Sequence, residues 1–404
     1  MIDNGLRTPD GFRDYLPGEY YFKHHIENEL EAVFHRHGYS SVNTPMLEYM
    51  EVFEDKGSVD PKQMYRLLDR DGNMLALRSD VTPPVARMVA TNFSGADMPL
   101  RFCYVQNVYR CTPSYQGRTS EITQAGIELM GAEGDMADAE TLAAAIDALL
   151  SSGLDDFRID VGQVRFLRGI LEGSGLASDV SDALHECVVE RDFVAAGRIA
   201  RENDAPGSVR RLLSDLPIWS GGEEMLDEAM SRTDVVKSRE ALTNLKNIYS
   251  ALKDYGFEKY VLFDLSMAGN MDYYTGIIFR GYTAGMGFSI LDGGRYDGLP
   301  ARFGAPYPSV GFIIKVHNLI GALEKLNGKS RPSEADVLVA WDEGGRGAAL
   351  SEVMRLRNEG LRVECSYSGP DVRGNVKFAE ERGIARVICF DESGRVSYDT
   401  EAPQ

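Results

Sequence analysis

Residues 100–131 read LRFCYVQNVYRCTPSYQGRTSEITQAGIELMG, and this stretch decides the fold. The first end is rich in Val, Tyr and Phe, the second carries Ile, Leu and Met, and both have the short apolar pattern of strands. The loop between them, CTPSYQGRTS, is polar, which makes the two strands an antiparallel pair whose connection can fold over a ligand. By the two-residue period of a strand, Gln124, Gly126 and Glu128 share one face, so an amide and a carboxylate look into one pocket.

Working outward, a helical period of Phe22, Ile26, Leu30, Val33 and Phe34 predicts a helix over 19–37, with Gly38 as its stop. SSVNTPMLEY is extended, and Pro45 makes it an edge or kinked strand. MYRLLDRDGNMLALR reads as two strands around an Asp71-Gly72 turn, and TPPVARMVATN as a helix. After the pair comes an Ala/Leu-rich helix over 138–150, then a strand in DFRIDVG. Helical spacing dominates from 164 to 255, which predicts a helical insertion. Strands are expected in KYVLFDLSM, MDYYTGIIFRGY, GFSILDGG and PSVGFIIK, followed by a helix in VHNLIGALEKL. Past the linker NGKSRPSEA, strands and helices alternate from ADVLVAW to ARVICF, which predicts a small, mostly parallel sheet. The organisation is a 1–328 antiparallel α+β domain with its insertion, and a 334–404 α/β domain.

The 404 residues are 43% hydrophobic and 26% charged, enough for a sizeable core in more than one unit. A net charge of −19 opposes nucleic-acid binding unless a local basic patch overcomes it. No signal peptide or membrane span is apparent, and five scattered cysteines without CxxC spacing suit a reducing cytoplasm. They also argue against a zinc site. His24-His25 and His35/His37 lack metal-ligand spacing. DEGGRGAAL sits where a phosphate loop could, but it lacks the spacing, and Asp342 and Glu343 repel phosphate.

Polar groups gather on otherwise apolar segments at LRSDVT (77–82), at Arg110 and Arg118 around the loop, at QAGIE (124–128), and from Asp272-Tyr273-Tyr274 to Gly293-Gly294-Arg295-Tyr296. Acids for an ammonium, an arginine for a carboxylate and tyrosines as amphipathic walls together suit a small zwitterion. The same spacing equally suits surface ion pairs and a satisfied sheet interior.

On these residues the chain resembles the class II histidyl-tRNA synthetase family over nearly its whole length. TPDGFRDYLP and GYSSVNTPMLE resemble the family's opening and its dimer-forming first motif. LRSDVT is similar to its LRPEGT, YVQNVYR with QGR to its second motif, and QAGIE to the strand behind it. MDYYTGIIF and GGRYDGL resemble its two histidine-recognition signatures. The resemblance implies a class II synthetase-like antiparallel sheet and a C-terminal domain like an anticodon-binding domain. It also implies a histidine pocket of Asp80, Thr82, Arg110, Gln124, Glu128, Tyr273, Tyr274 and Tyr296, with Glu128 and Tyr274 on the imidazole, Asp80, Thr82 and Gln124 on the ammonium, and Arg110 on the carboxylate.

The departures concern adenylation. Glycine (Gly269) stands at the place of the signature arginine, and Lys315-Val316-His317-Asn318 lacks the third motif's closing arginine. Thr112 and Pro113 replace an acid and an arginine of the second motif. Losing one such clamping group costs roughly a hundredfold in rate, so adenylation is expected to be absent. Residues 334–404 carry more acids than bases, a poor balance for gripping tRNA.

A kept histidine pocket without adenylation machinery resembles a paralogous branch of the family, the regulatory subunits of ATP phosphoribosyltransferase. That resemblance implies a non-catalytic chain with no cofactor and no metal. Its partners would be L-histidine, a second copy through the class II interface and, in a hetero-octamer, a short catalytic subunit. Two alternatives stand beside it: a divergent histidyl-tRNA synthetase, and a free-standing histidine sensor.

Overall fold

A computed structural model describes residues 6–53, 60–111, 119–269, 273–327, 335–369 and 371–400. The chain divides into two compact units, one formed by residues up to 13 together with 26–326, the other by 14–25 together with 327 onward. The division falls inside the first helix.

In chain order the first part comprises α1 (Pro17–Arg36), β1 (Ser40–Ser41), β2 (Leu47–Tyr49), β3 (Arg66–Leu68), β4 (Met74–Leu77), α2 (Thr82–Asn92), β5 (Leu100–Tyr109), β6 (Glu121–Met130), α3 (Asp135–Ser151) and β7 (Arg158–Gln163). The insertion follows as α4 (Val164–Glu172), α5 (Ser178–Val189), α6 (Phe193–Glu202), α7 (Gly207–Asp215), β8 (Ser220–Gly221), α8 (Glu223–Arg232) and α9 (Val236–Tyr255). β9 (Val261–Asp264), β10 (Ile277–Tyr282), β11 (Leu291–Arg295), α10 (Gly298–Arg302), β12 (Ser309–Lys315) and α11 (Val316–Asn327) close the first unit's run. The remainder is β13 (Val337–Trp341), α12 (Arg346–Asn358), β14 (Val363–Cys365), α13 (Val372–Arg382), β15 (Arg386–Phe390) and β16 (Val396–Asp399).

The strand pair expected at 100–131 forms the second and third strands of a nine-stranded sheet ordered β1-β5-β6-β12-β11-β10-β7-β9-β8. β5 and β6 pair antiparallel from Leu100↔Met130 to Tyr109↔Glu121. Antiparallel pairing continues through β12, β11, β10 and β7, while β1·β5 and β7·β9 are parallel. The Asp71-Gly72 hairpin forms as expected, with Gly72 at φ +85° supplying the turn. It joins β2 in a separate three-stranded sheet. One expectation fails: Tyr273–Gly276 is not strand, because β10 begins only at Ile277.

The two faces of the large sheet are covered differently. On one, Val81 and, on α2, Val85, Ala86 and Val89 bury against Phe102, Tyr104 and Val108 of β5, with Tyr296 and Leu299 alongside. On the other, the Phe34 ring meets Phe312 edge-on at 5.9 Å. The run Ala143-Ala144-Ala145 on α3 is fully buried, and its small side chains allow close packing. Apolar burial of this kind contributes about 25 cal/mol per Å² and anchors the strands that carry the polar groups.

In the second unit β13 alternates Val337 and Val339 toward α12 with Leu338 and Ala340 toward α13, a three-layer arrangement. β14, β13 and β15 are parallel, and β16 adds an antiparallel edge that the sequence pattern did not announce. In DEGGRG, a Cβ at Gly344 or Gly345 would strike the carbonyl oxygens of Glu392 and Asp391, so close packing explains these glycines. No helix among the described residues is long and apolar enough to cross a membrane.

Candidate functional site

The antiparallel register puts one row of residues from four strands on a single sheet face. Glu128 on β6 stands opposite Gly311 on β12, Gly311 opposite Gly294 on β11, and Gly294 opposite Ile278 on β10. Two of these four positions are glycines and carry no side chain, and the row borders a cavity of about 550 Å³. A Cβ on Gly311 would collide with the Glu128 carboxylate, and one on Gly294 would lie 2.7 Å from the Tyr274 ring. The glycines therefore make room for an acid and an aromatic wall.

Asp80, Thr82, Arg110, Glu128, Tyr273, Tyr274 and Tyr296, expected together from sequence, all line this cavity. Gln124 does not: it is buried, its Oε1 has no hydrogen-bond partner among the described residues, and it is absent from the cavity lining. Arg118, Thr112, Pro113 and the Asn270-Met271-Asp272 part of the signature lie outside the described residues.

Glu128 is 1% exposed and accepts three hydroxyl hydrogen bonds. Thr82 Oγ1 donates to Oε1 at 2.7 Å, Tyr104 OH donates to Oε1 at 3.0 Å, and Tyr296 OH donates to Oε2. Burial pushes the carboxyl up to about 7, against the three hydroxyls that favour its ionised form and with nearby Asp80 adding to the rise. Burial first, then Glu128 itself, pushes the Tyr104 and Tyr296 hydroxyls well above their ordinary range, so both remain neutral donors.

The aromatic wall is tightly arranged. Tyr273 stacks on Tyr296 at 5.8 Å between ring centroids and meets Tyr274 edge-on at 4.9 Å. In the same lining Arg110 Nη2 pairs with Asp80 Oδ2 at 3.2 Å and Nε donates to the Ser79 carbonyl at 2.9 Å. Thr82 N donates to Asp80 Oδ1 at 3.1 Å, which fixes the acid at the start of α2. Anionic and cationic groups thus stand side by side in the lining that also holds the aromatic wall.

Sequence reasoning missed a second polar group on the same face. Lys315 Nζ lies 2.5 Å from Asp292 Oδ2 and donates to Ser289 Oγ at 2.8 Å, with Arg280 3.7 Å from Asp292. The available signal was a charge on the inward period of each of three apolar strands, FIIK, ILD and IIFR. Among the described residues no group of three His, Cys, Asp or Glu gathers as a metal site.

The departures from the family have physical counterparts. A Cβ at Gly269 would lie 2.8 Å from Ile278 Cδ1 and 2.9 Å from Tyr274 Cδ2, so the signature arginine has no room here without displacing the wall. Asn318 is buried and donates to the Ser289 carbonyl at 2.8 Å. His317 is pushed down to about 4, by burial and then by Lys315, Arg13 and Arg110, and stays neutral near pH 7.

Similarity to known proteins places the chain in one family. The histidyl-tRNA synthetase family profile matches residues 11–319. An ATP phosphoribosyltransferase regulatory subunit from Thermoanaerobacter sp. is 40% identical over 388 residues, 96% of this chain and 100% of the relative. One from Acetivibrio thermocellus is 36% identical over 389 residues, 96% of this chain and 93% of the relative. Among solved structures, an ATP phosphoribosyltransferase regulatory subunit/histidyl-tRNA synthetase from Bacillus halodurans superposes with a TM-score of 0.85 at 29% identity, covering 96% of this chain and 98% of that one.

Proposed function

The chain belongs to the ATP phosphoribosyltransferase regulatory subunits of the histidyl-tRNA synthetase family, and on that premise we propose that it binds L-histidine in the Glu128 cavity and passes that signal to a short catalytic subunit. Its role is regulatory and non-catalytic. Without ligand-bound regulation, association with this chain favours the active state of the catalytic subunit; histidine bound here disfavours it. A homodimer through the first-motif region, and a hetero-octamer with the catalytic chains, complete the proposal.

The observation that carries this reading is the Glu128 carboxyl, buried among three hydroxyl donors at a titration point near 7. Such a group meets an imidazole on equal terms, since the two can share one proton. The imidazole lies between Glu128 and Tyr274, the ammonium faces Asp80 and Thr82, and the carboxylate takes Arg110. Gln124 joins the ammonium only if its side chain turns from its position beside the cavity. The same reading assigns no adenylation: an arginine at 269 has no space, and Asn318 is committed to the Ser289 carbonyl. It also assigns no tRNA ligand.

The test is to add the purified chain to a short ATP phosphoribosyltransferase catalytic subunit and follow turnover with and without L-histidine. Activation on mixing, reversed by histidine, is the expected result. Activation without any response to histidine removes the sensing role, and no activation removes the regulatory assignment to that partner.

A further inference from the structure

The Tyr273–Tyr274 wall is held from its C-terminal side by the residue that follows it. Thr275 is engaged at three atoms. Its N–H donates to the Arg295 carbonyl at 2.8 Å, its Oγ1 accepts from Asp297 N at 3.0 Å, and its carbonyl accepts from Arg165 Nε at 2.6 Å. The next carbonyl, Gly276 O, accepts from Val164 N at 3.1 Å. Two of these four bonds come from the first two residues of α4, the opening turn of the helical insertion.

That turn is itself braced. Gln163 caps α4 by accepting from Arg165 N at 3.2 Å and donates through Nε2 to Asn244 Oδ1 at 2.6 Å. Asn244 and Asn247, one turn apart on α9, donate to the two carboxylate oxygens of Asp135 at 2.6 Å and 2.5 Å. Ser238 Oγ, also on α9, donates to the Phe166 carbonyl of α4 at 2.8 Å. Arg165 therefore projects from a fixed helix end onto the loop that carries the tyrosines, a bond from a charged donor at short range.

We infer that Arg165 is a positioning residue for the histidine site: by holding the Thr275 carbonyl it fixes the Tyr273–Tyr274 wall, so the first turn of the insertion sets how tightly and how selectively the cavity binds. This rests on the proposal that the cavity takes L-histidine. Arg165 itself is not in the cavity lining and is exposed to solvent, so its effect runs through the loop rather than through contact with ligand. Without its guanidinium, Thr275 keeps its N–H and hydroxyl bonds but its carbonyl is released. The peptide after Tyr274 then gains freedom, and binding must restore the order that the unliganded protein no longer holds.

The experiment is calorimetric titration of L-histidine and of Nτ-methyl-L-histidine into the full-length chain, as wild type, Arg165→Ala and Arg165→Lys, with thermal melting of each. Arg165→Ala is expected to bind L-histidine roughly 3- to 10-fold more weakly, the range of one charged hydrogen bond partly transmitted. Its preference for L-histidine over the methylated ring should narrow, because the wall that excludes the methyl group has loosened. Arg165→Lys, which keeps a charged donor, should recover part of both. The melting midpoint should stay within about 2 °C of wild type, since one exposed side chain is removed. Unchanged affinity and selectivity in Arg165→Ala overturn the inference. Equal weakening for both ligands together with a lowered melting midpoint assigns Arg165 to stability alone and overturns it too. Failure of the wild type to bind histidine is a separate outcome, visible before any variant is compared, and removes the functional reading along with this one.

Discussion

Gly311 and Glu128 face each other directly across β12 and β6, and the volume that a side chain at 311 would occupy is filled by the Glu128 carboxylate. Gly311→Ala therefore forces the acid, and the hydroxyls that hold it, out of place. Overpacking of this kind costs about 1–3 kcal/mol. We expect a lowered denaturation midpoint and no measurable histidine heat in calorimetry. A variant that binds like wild type would show that Glu128 is free to move and that its fixed geometry is irrelevant to the ligand.

The Glu128 carboxyl also leaves a signature in stability against pH. Its folded value, about 7, lies above the 4.5 of a solvated glutamate, so the folded state prefers the protonated form. Stability from that preference is fully present below about pH 4.5, falls as pH rises toward 7, and is gone above it. Glu128→Gln keeps a neutral group at all pH and removes this slope. Between pH 4 and 8 the wild type should lose on the order of 3 kcal/mol relative to Glu128→Gln in urea denaturation. Parallel pH profiles for the two proteins would mean that Glu128 is solvated in the folded state.

Adenylation offers a yes-or-no measurement. Histidine-dependent exchange between ATP and pyrophosphate is expected at background in wild type. Gly269→Arg should not restore it, because the new side chain meets Ile278 and Tyr274 rather than open space. That variant should instead lose histidine affinity as the Tyr274 ring is displaced. Robust exchange by the wild type would return the chain to the synthetases.

Much of this was legible in the sequence where the deciding information is local. The helix over TPPVARMVATN appears as α2 over Thr82–Asn92, and the strands of 100–131 appear with an antiparallel register. The shared face of Gln124 and Glu128 follows from period two, but only one of them reaches the cavity, because a face is wider than a pocket. What stayed hidden depends on distant partners. β16 (VSYD) has no buried residue and no run of apolar ones, and it is a strand because β15 offers it an edge. Residues 14–25 group with the C-terminal unit through contacts such as the Arg362 guanidinium over the Tyr21 ring at 5.1 Å, which no local spacing encodes. Tyr273–Gly276 has strand composition yet forms a loop, since its backbone is claimed by Arg165, Val164 and Arg295.

The sharpest prediction joins the cavity to the partner. If histidine inhibits by binding here, Glu128→Ala should lower histidine affinity by tenfold or more, as expected when a buried charge-assisted bond of about 1.5–3 kcal/mol is lost. Complexes of the catalytic subunit with wild type or Glu128→Ala are each compared with their own rate in the absence of histidine. The histidine concentration for half inhibition should rise by the same factor as the dissociation constant of the isolated chain. Linkage adds an internal check: if histidine lowers the affinity of the complex for its substrate, substrate must lower the affinity for histidine by an equal factor, typically 5- to 150-fold. Inhibition that acts only on turnover escapes that equality, so substrate binding and rate are both measured. Should histidine inhibit the Glu128→Ala complex as strongly as the wild type, the signal enters elsewhere, and the buried acid, the tyrosine wall and the glycine row serve the fold alone.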